Sequence, residues 1–280
     1  MVKQLFYAHM VDMGGIPVRQ PLPTANAEQI DPFLLLHHHI GNFKENTDPK
    51  NAGVGPHPHR GFSPVTFIFE GDVHHRDSRG NSSVVKAGGV QWMNAGMGVV
   101  HSERPSVELA TEGGTQEIIQ LWINTPKAKK MNPPEYQAFQ NEDLPKISNN
   151  LSLVSGSEGE QDGPAKTEMP IKAIMGQMAI GETISLNAPY SHTLMYILEG
   201  ELKIEEHGLT ESHNLILFEY EISDIQIEAK SDSKILFLSA DPLDEPLATY
   251  GPFVMNNQTE IMEAMRDYQM GKMGVLIEEF

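Results

Sequence analysis

The sequence predicts an all-β protein made of two related β-barrels with one short helix near the C-terminus. Most of the chain is short runs of β-branched and aromatic residues punctuated by Gly, Pro, Asn and Ser. Examples are Val65-Thr66-Phe67-Ile68-Phe69, Glu117-Ile118-Ile119-Gln120-Leu121-Trp122-Ile123 and Lys234-Ile235-Leu236-Phe237-Leu238. Phe67-Ile68-Phe69-Glu70-Gly71-Asp72-Val73 reappears as Tyr196-Ile197-Leu198-Glu199-Gly200-Glu201-Leu202, at an offset of 129. The length of 280 residues accommodates two such units, on the usual prior of about 150 residues per domain.

Taken in order, Asp77-Ser78-Arg79-Gly80-Asn81 is a hairpin turn signal. In each copy of the repeat an apolar strand runs into Glu-Gly, where Gly permits a bend before the next strand. Residues 140–150 are polar, with Pro145 and the pair Asn149-Asn150, and mark the domain boundary, giving domains 1–145 and 146–280. Residues 156–164 form a second polar loop, too rich in Gly and Glu to be core. The helix is expected over 259–270, with Thr259 as cap, Ile261, Met262, Met265 and Tyr268 on its apolar side, and Gly271 as its stop.

Composition narrows the chemistry. There is no cysteine, which excludes disulfides, iron–sulfur clusters and thiolate-bound zinc. The net charge of -18 argues against direct nucleic-acid binding. Residues 1–150 carry 13 basic and 15 acidic side chains, whereas residues 151–280 carry 7 and 23. Nine of the twelve histidines fall in the first part. The expectation is chemistry in the first domain and a solubilising or partner-facing acidic surface in the second. No signal-peptide core or membrane-length apolar run is visible, so a cytoplasmic chain is expected, read as a monomer.

The chemistry centres on Gly55-Pro56-His57-Pro58-His59-Arg60-Gly61 and the later His101-Ser102-Glu103. Alternate residues of a strand share a face, so His57 pairs with His59 and His101 with Glu103. Two such pairs facing each other within one barrel bring three imidazoles and a carboxylate to one point. That donor set suits a divalent first-row transition metal (iron, manganese, nickel, cobalt or copper) and leaves positions open. The competing reading is surface histidines that alternate with prolines in a loop. The repeat offset places Leu186 and Ala188 opposite His57 and His59, and Lys230 and Asp232 opposite His101 and Glu103, so the second barrel is expected to lack the metal.

These residues resemble a known family. Pro56-His57-Pro58-His59-Arg60-Gly61-Phe62, Glu70-Gly71, His75-Arg76-Asp77-Ser78, Val90-Gln91-Trp92-Met93, Ala95-Gly96 and Val100-His101-Ser102-Glu103 are similar to pirin, a two-domain member of the cupin superfamily. Asp31-Pro32-Phe33-Leu34-Leu35 and Tyr250-Gly251-Pro252-Phe253-Val254-Met255-Asn256 extend the likeness over nearly the whole chain. The resemblance implies two tandem jelly-roll-like cupin barrels and a metal, usually iron as Fe(II), on His57, His59, His101 and Glu103. It also implies cleavage of quercetin or a related flavonol or phenol with dioxygen and release of carbon monoxide, with Glu103 accepting the substrate's proton. The alternative it implies is a redox-sensitive metal-binding regulatory protein that engages a protein partner through the acidic second domain. The chain departs from the family pattern at Ser63 (commonly Glu), at Gly89 (usually Asp) and at His37-His38-His39, where a single His or acidic residue is common.

Other residues have plainer readings. His37, His38 and His39 end a strand, with a pocket-lining role as the alternative. His74-His75 decorates a hairpin, and His192 is a lone structural histidine. Arg60 forms an ordinary salt bridge or orients a bound anion. Trp92 and Met93 are core, and Phe43, Phe67, Met97 and the Phe253 region are candidates for a pocket mouth.

Overall fold

The computed structural model describes residues 1–220 and 224–278. Strands dominate, and the chain divides into two compact units, each assembled from two separate stretches of the sequence. One holds Met1–His38 with Asn141–Pro242, the other His39–Gln140 with Leu243–Phe280. This differs from a division at 145/146, for a local reason in each unit. In the first, strand Val2–Tyr7 pairs with Asn214–Phe218. In the second, Phe253 bridges Arg60, with Val254 N donating to Arg60 O at 3.0 Å.

Each unit is a jelly-roll-like pair of sheets and not one closed barrel. In the first, Val2–Tyr7, Asn214–Phe218, His192–Glu199, Ser233–Ala240, Ile171–Met178 and Leu151–Ser155 form one sheet in that order; Thr183–Asn187, Asp224–Ala229, Glu201–Ile204 and Gly208–Glu211 form the other. The second unit repeats the four-stranded order as Val54–His59, Val99–Arg104, Asp72–Asp77 and Ser82–Lys86. Its opposing sheet runs Glu135–Phe139, Val90–Asn94, Phe62–Glu70, Gly114–Asn124. Gly71 and Gly200 occupy the same bend in the two copies, at φ 71° and 87°, and a Cβ would meet a backbone oxygen at 2.5 Å and 2.4 Å respectively.

Register shows what the first unit's interior holds. Leu186 pairs with Ile225, as His57 pairs with His101 in the second unit. Leu186, Ala188 and Ile225 are all buried in an apolar cluster with Met195, Ile197 and Phe237. Ile225, and not Lys230, is therefore the counterpart of His101. Loop lengths differ between the copies, and Lys230 lies past the strand, beside Glu228.

The C-terminal helix spans Gln258–Gln269 with Asn257 as its cap, two residues before the expected Thr259. A second helix, Val107–Glu112, follows the cap Ser106, whose Oγ accepts from Leu109 N at 3.0 Å. At six residues it is too short for its periodicity to stand out in the sequence.

The end of the histidine strand is fixed by a buried cation. Lys130 is 1 % exposed and donates to Gly61 O and Asn124 Oδ1 at 2.6 Å and to Val254 O at 3.1 Å. Gly61 itself sits at φ 85°, and a Cβ there would lie 2.0 Å from Val254 O. Lys130→Met strips the donor from three buried acceptors and is expected to lower unfolding free energy by about 3 kcal/mol. Urea titration reads this directly.

Candidate metal centre

Strands Val54–His59 and Val99–Arg104 are antiparallel neighbours, with His57 directly opposite His101 and His59 opposite Val99. The two histidine-bearing pairs thus share one sheet and do not face each other across the unit. His57 Nε2 lies 3.1 Å from His59 Nε2 and 3.0 Å from His101 Nε2. Two nitrogens each about 2.1 Å from one ion sit roughly 3.0 Å apart at a right angle, against about 3.4 Å at the tetrahedral angle. The observed spacing lets the imidazoles share one divalent ion.

The remaining ring nitrogens are engaged. His57 Nδ1 is 2.8 Å from Gly55 O, His59 Nδ1 3.5 Å from Pro252 O, and His101 Nδ1 3.4 Å from His75 Nδ1. Partners of this kind orient a ligating imidazole. Burial, then the neighbouring His57, pushes the imidazoles of His59 and His101 well below the usual histidine value. Both therefore stay neutral and keep a lone pair to give. Among the described residues these three histidines are the set whose ligand atoms all lie within 4.8 Å of one another.

Glu103 follows two residues after His101, but a bulge between them shifts the register so that Glu103 opposes Val54. Its Oε1 accepts from Thr66 Oγ1 at 2.6 Å and its Oε2 from Gln120 Nε2 at 3.1 Å. Gln120 Nε2 also donates to Thr66 Oγ1 at 2.9 Å. The carboxylate is thus held in a fixed orientation by donors from the opposing sheet. Met195 stands at the repeat position of Thr66 in the other unit, and it is buried in that unit's apolar cluster.

Aromatic rings close around His59. Its ring packs edge-on to Phe62 at 5.0 Å and to Trp122 at 5.4 Å, and those two rings lie 4.4 Å apart. Of the residues expected at a pocket mouth, Phe67 and Phe253 are buried core, while Met97 is exposed.

Other histidines divide differently from expectation. His75 is buried at 1 % exposure, with Nε2 3.2 Å from Asp77 Oδ2 and its ring stacked on Tyr136 at 3.9 Å and 8°. It belongs to the site and does not decorate a hairpin; the only sequence signal was its alternation with Asp77. Burial raises the Asp77 pKa, but hydrogen bonds from His75, Asn81 and Arg79 outweigh it and hold the carboxyl below its usual value. His37 Nε2 meets Gln20 Oε1 at 2.9 Å, and burial pushes its pKa down to about 4. His38 Nδ1 meets Tyr196 OH at 3.1 Å, and His192 Nδ1 meets Asp31 O. All three are structural. Arg60 is a salt bridge, with both terminal nitrogens 3.1 Å from Asp267 Oδ2.

Comparison with known proteins agrees with this architecture. The family profile described as Pirin matches residues 15–123, and the profile of the pirin C-terminal cupin domain matches residues 174–274. A Pseudomonas aeruginosa protein with the provisional name quercetin 2,3-dioxygenase PA2418 is 37% identical over 92% of each chain. Pirin-like protein 2 of Arabidopsis thaliana is 32% identical, over 98% of this chain and 85% of its own. The crystal structure of quercetin 2,3-dioxygenase from Acinetobacter baumannii superposes with a TM-score of 0.89 at 37% identity, covering 99% of both chains. Escherichia coli pirin YhhW, solved with nickel(II), shares the fold at a TM-score of 0.68 and 20% identity, covering 86% of this chain and 100% of its own. No helix among the described residues is long and apolar enough to cross a membrane. With its histidine cluster on one cupin unit, an apolar interior in the other and matching relatives along its length, the chain belongs to the pirin family.

Proposed function

We propose that this chain is a metal-dependent dioxygenase that opens quercetin or a related flavonol, with His57, His59, His101 and Glu103 as ligands of one divalent ion, Fe(II) foremost. The observation that carries the reading is that His57 Nε2 lies 3.1 Å from His59 Nε2 and 3.0 Å from His101 Nε2, while each Nδ1 is turned to a partner. The relatives named for quercetin dioxygenation support the substrate class.

When bound, the ion supplies Lewis acidity and a common meeting point for the phenolic oxygen and dioxygen. The protein's own part is positioning. Thr66 and Gln120 fix the Glu103 carboxylate, an acceptor-only group set to take the proton of an incoming flavonol hydroxyl. Phe62 and Trp122 pack edge-on against the His59 ring and screen it from water. The organic chemistry remains that of substrate and ion.

Protein stripped by chelation and reloaded with iron(II) should consume quercetin and release carbon monoxide in equal amounts. Glu103→Gln, assayed at metal saturation, is expected to lower turnover by about 10²- to 10⁴-fold. A fully metallated protein inert toward flavonols would overturn the enzymatic reading and favour a redox-sensitive interaction protein.

A further inference from the structure

A chain of hydrogen bonds leaves His101 on the side away from the cluster. His101 Nδ1 is 3.4 Å from His75 Nδ1, and His75 Nε2 is 3.2 Å from Asp77 Oδ2. Asp77 is anchored in turn: Oδ1 accepts backbone N–H groups of Arg79 at 2.8 Å and Asn81 at 3.0 Å, and Oδ2 accepts from Asn81 Nδ2 at 2.7 Å. All three residues are buried. The stacked Tyr136 ring, tied through its hydroxyl to Ser83 Oγ at 2.6 Å, leaves His75 no room to turn.

The direction of every link follows from its far end. A carboxylate has no proton to give, so Asp77 accepts from His75 Nε2–H. At the other end, a His101 that ligates through Nε2 carries its proton on Nδ1, so His75 Nδ1, 3.4 Å away, is the acceptor that this arrangement requires. His101 is left with its Nε2 lone pair facing His57 and His59. We propose that Asp77 and His75 are positioning residues that select the Nδ1–H tautomer of His101 and so present its Nε2 lone pair to the metal. This rests on reading the three imidazoles as a metal site. It extends the familiar carboxylate–histidine–metal arrangement by one further imidazole.

His101 differs here from its two companions. His57 and His59 turn Nδ1 to backbone carbonyls, which accept whatever the side chains around them. Only the His101 tautomer depends on a side chain, and so only this one can be reversed by substitution.

Asp77→Asn is the direct test. The two backbone N–H groups at Oδ1 require the amide oxygen in that position, which puts the NH₂ group where Oδ2 stood, facing His75 Nε2. His75 must then accept at Nε2 and donate from Nδ1. His101 accepts at Nδ1 and carries its proton on Nε2, toward the cluster. Asn81 adapts by turning its own side-chain oxygen to the new donor. The expected result is a loss of cobalt(II) affinity of about 10- to 100-fold, together with a switch of the His101 Nε2 nitrogen-NMR signal from acceptor to protonated in the apoprotein. His75→Phe, which keeps the ring against Tyr136 but removes both nitrogens, should lower affinity in the same direction. Cobalt(II) binding as tight in folded D77N as in wild type would overturn the proposal. So would a wild-type apoprotein with the His101 proton on Nε2, a measurement that needs no variant to fold. A wild-type chain that shows the Nδ1–H tautomer yet takes up no cobalt(II) would instead sink the metal reading and leave the relay standing.

Discussion

Replacing His101 by alanine is expected to weaken iron(II) or cobalt(II) uptake by about 10²- to 10³-fold. Four-ligand structural zinc sites hold their ion with about 10–16 kcal/mol, so on that scale one ligand's share is about 2.5–4 kcal/mol, and each 1.4 kcal/mol is about a factor of ten. The substitution also removes the imidazole nitrogen that His75 Nδ1 meets at 3.4 Å. Competition against a chromophoric chelator measures the change. His74→Ala is the control, because that residue neighbours His75 but turns to Ser82 Oγ at 3.1 Å, away from the cluster. Unchanged uptake in H101A would remove the metal centre, while loss in both variants would point to general unfolding.

Glu278→Ala is expected to cost about 3–5 kcal/mol, although it lies far from any recognisable motif. Glu278 meets Arg104 through two bonds of 2.7 Å, from Nε and Nη2, with both side chains under 10 % exposed. Arg104 Nη1 also donates to the carbonyls of Pro49, Lys50 and Ala52 at 3.2, 2.7 and 2.8 Å. Alanine would take that two-point carboxylate contact away from a buried guanidinium. Thermal unfolding should fall by on the order of 10 °C, at about 2–4 °C per kcal/mol for a chain of this class. A pH signature accompanies it. Burial raises the Glu278 pKa, but Arg104, Ser102 and Arg76 together outweigh burial and hold it below the ordinary 4.5. The folded value is depressed, so the stabilisation is present above 4.5 and disappears as pH falls through the folded value. The variant should lack that acid-dependent loss; a Tm within a degree or two of wild type would refute the assignment.

The sequence disclosed local patterns and concealed non-local partners. Alternation of His57 with His59 is a period of two, which a strand imposes within three residues. The Glu-Gly repeat was legible because Gly71 and Gly200 meet the same steric demand at the same bend. Thr66 and Gln120 were invisible as holders of Glu103, because they come from the opposing sheet. His75 read as decoration because nothing in a one-dimensional pattern shows that strand Asp72–Asp77 lies beside Val99–Arg104. The bulge after His101 likewise cannot be read from spacing, and it is what separates Glu103 from a simple face-sharing partner. Mapping Lys230 onto His101 failed because a constant offset ignores loop length; the ladder substitutes Ile225.

The unit that carries the histidines borrows Leu243–Phe280 from the far end of the chain. A ribosome that has emitted the first 145 residues has therefore released the whole histidine cluster but not Val254, Asp267 or Glu278, on which Lys130, Arg60 and Arg104 close. The two strands that carry the histidines are thus buttressed by partners 124 to 207 positions further along the chain, so the scaffold of the cluster closes only through contacts distant in sequence.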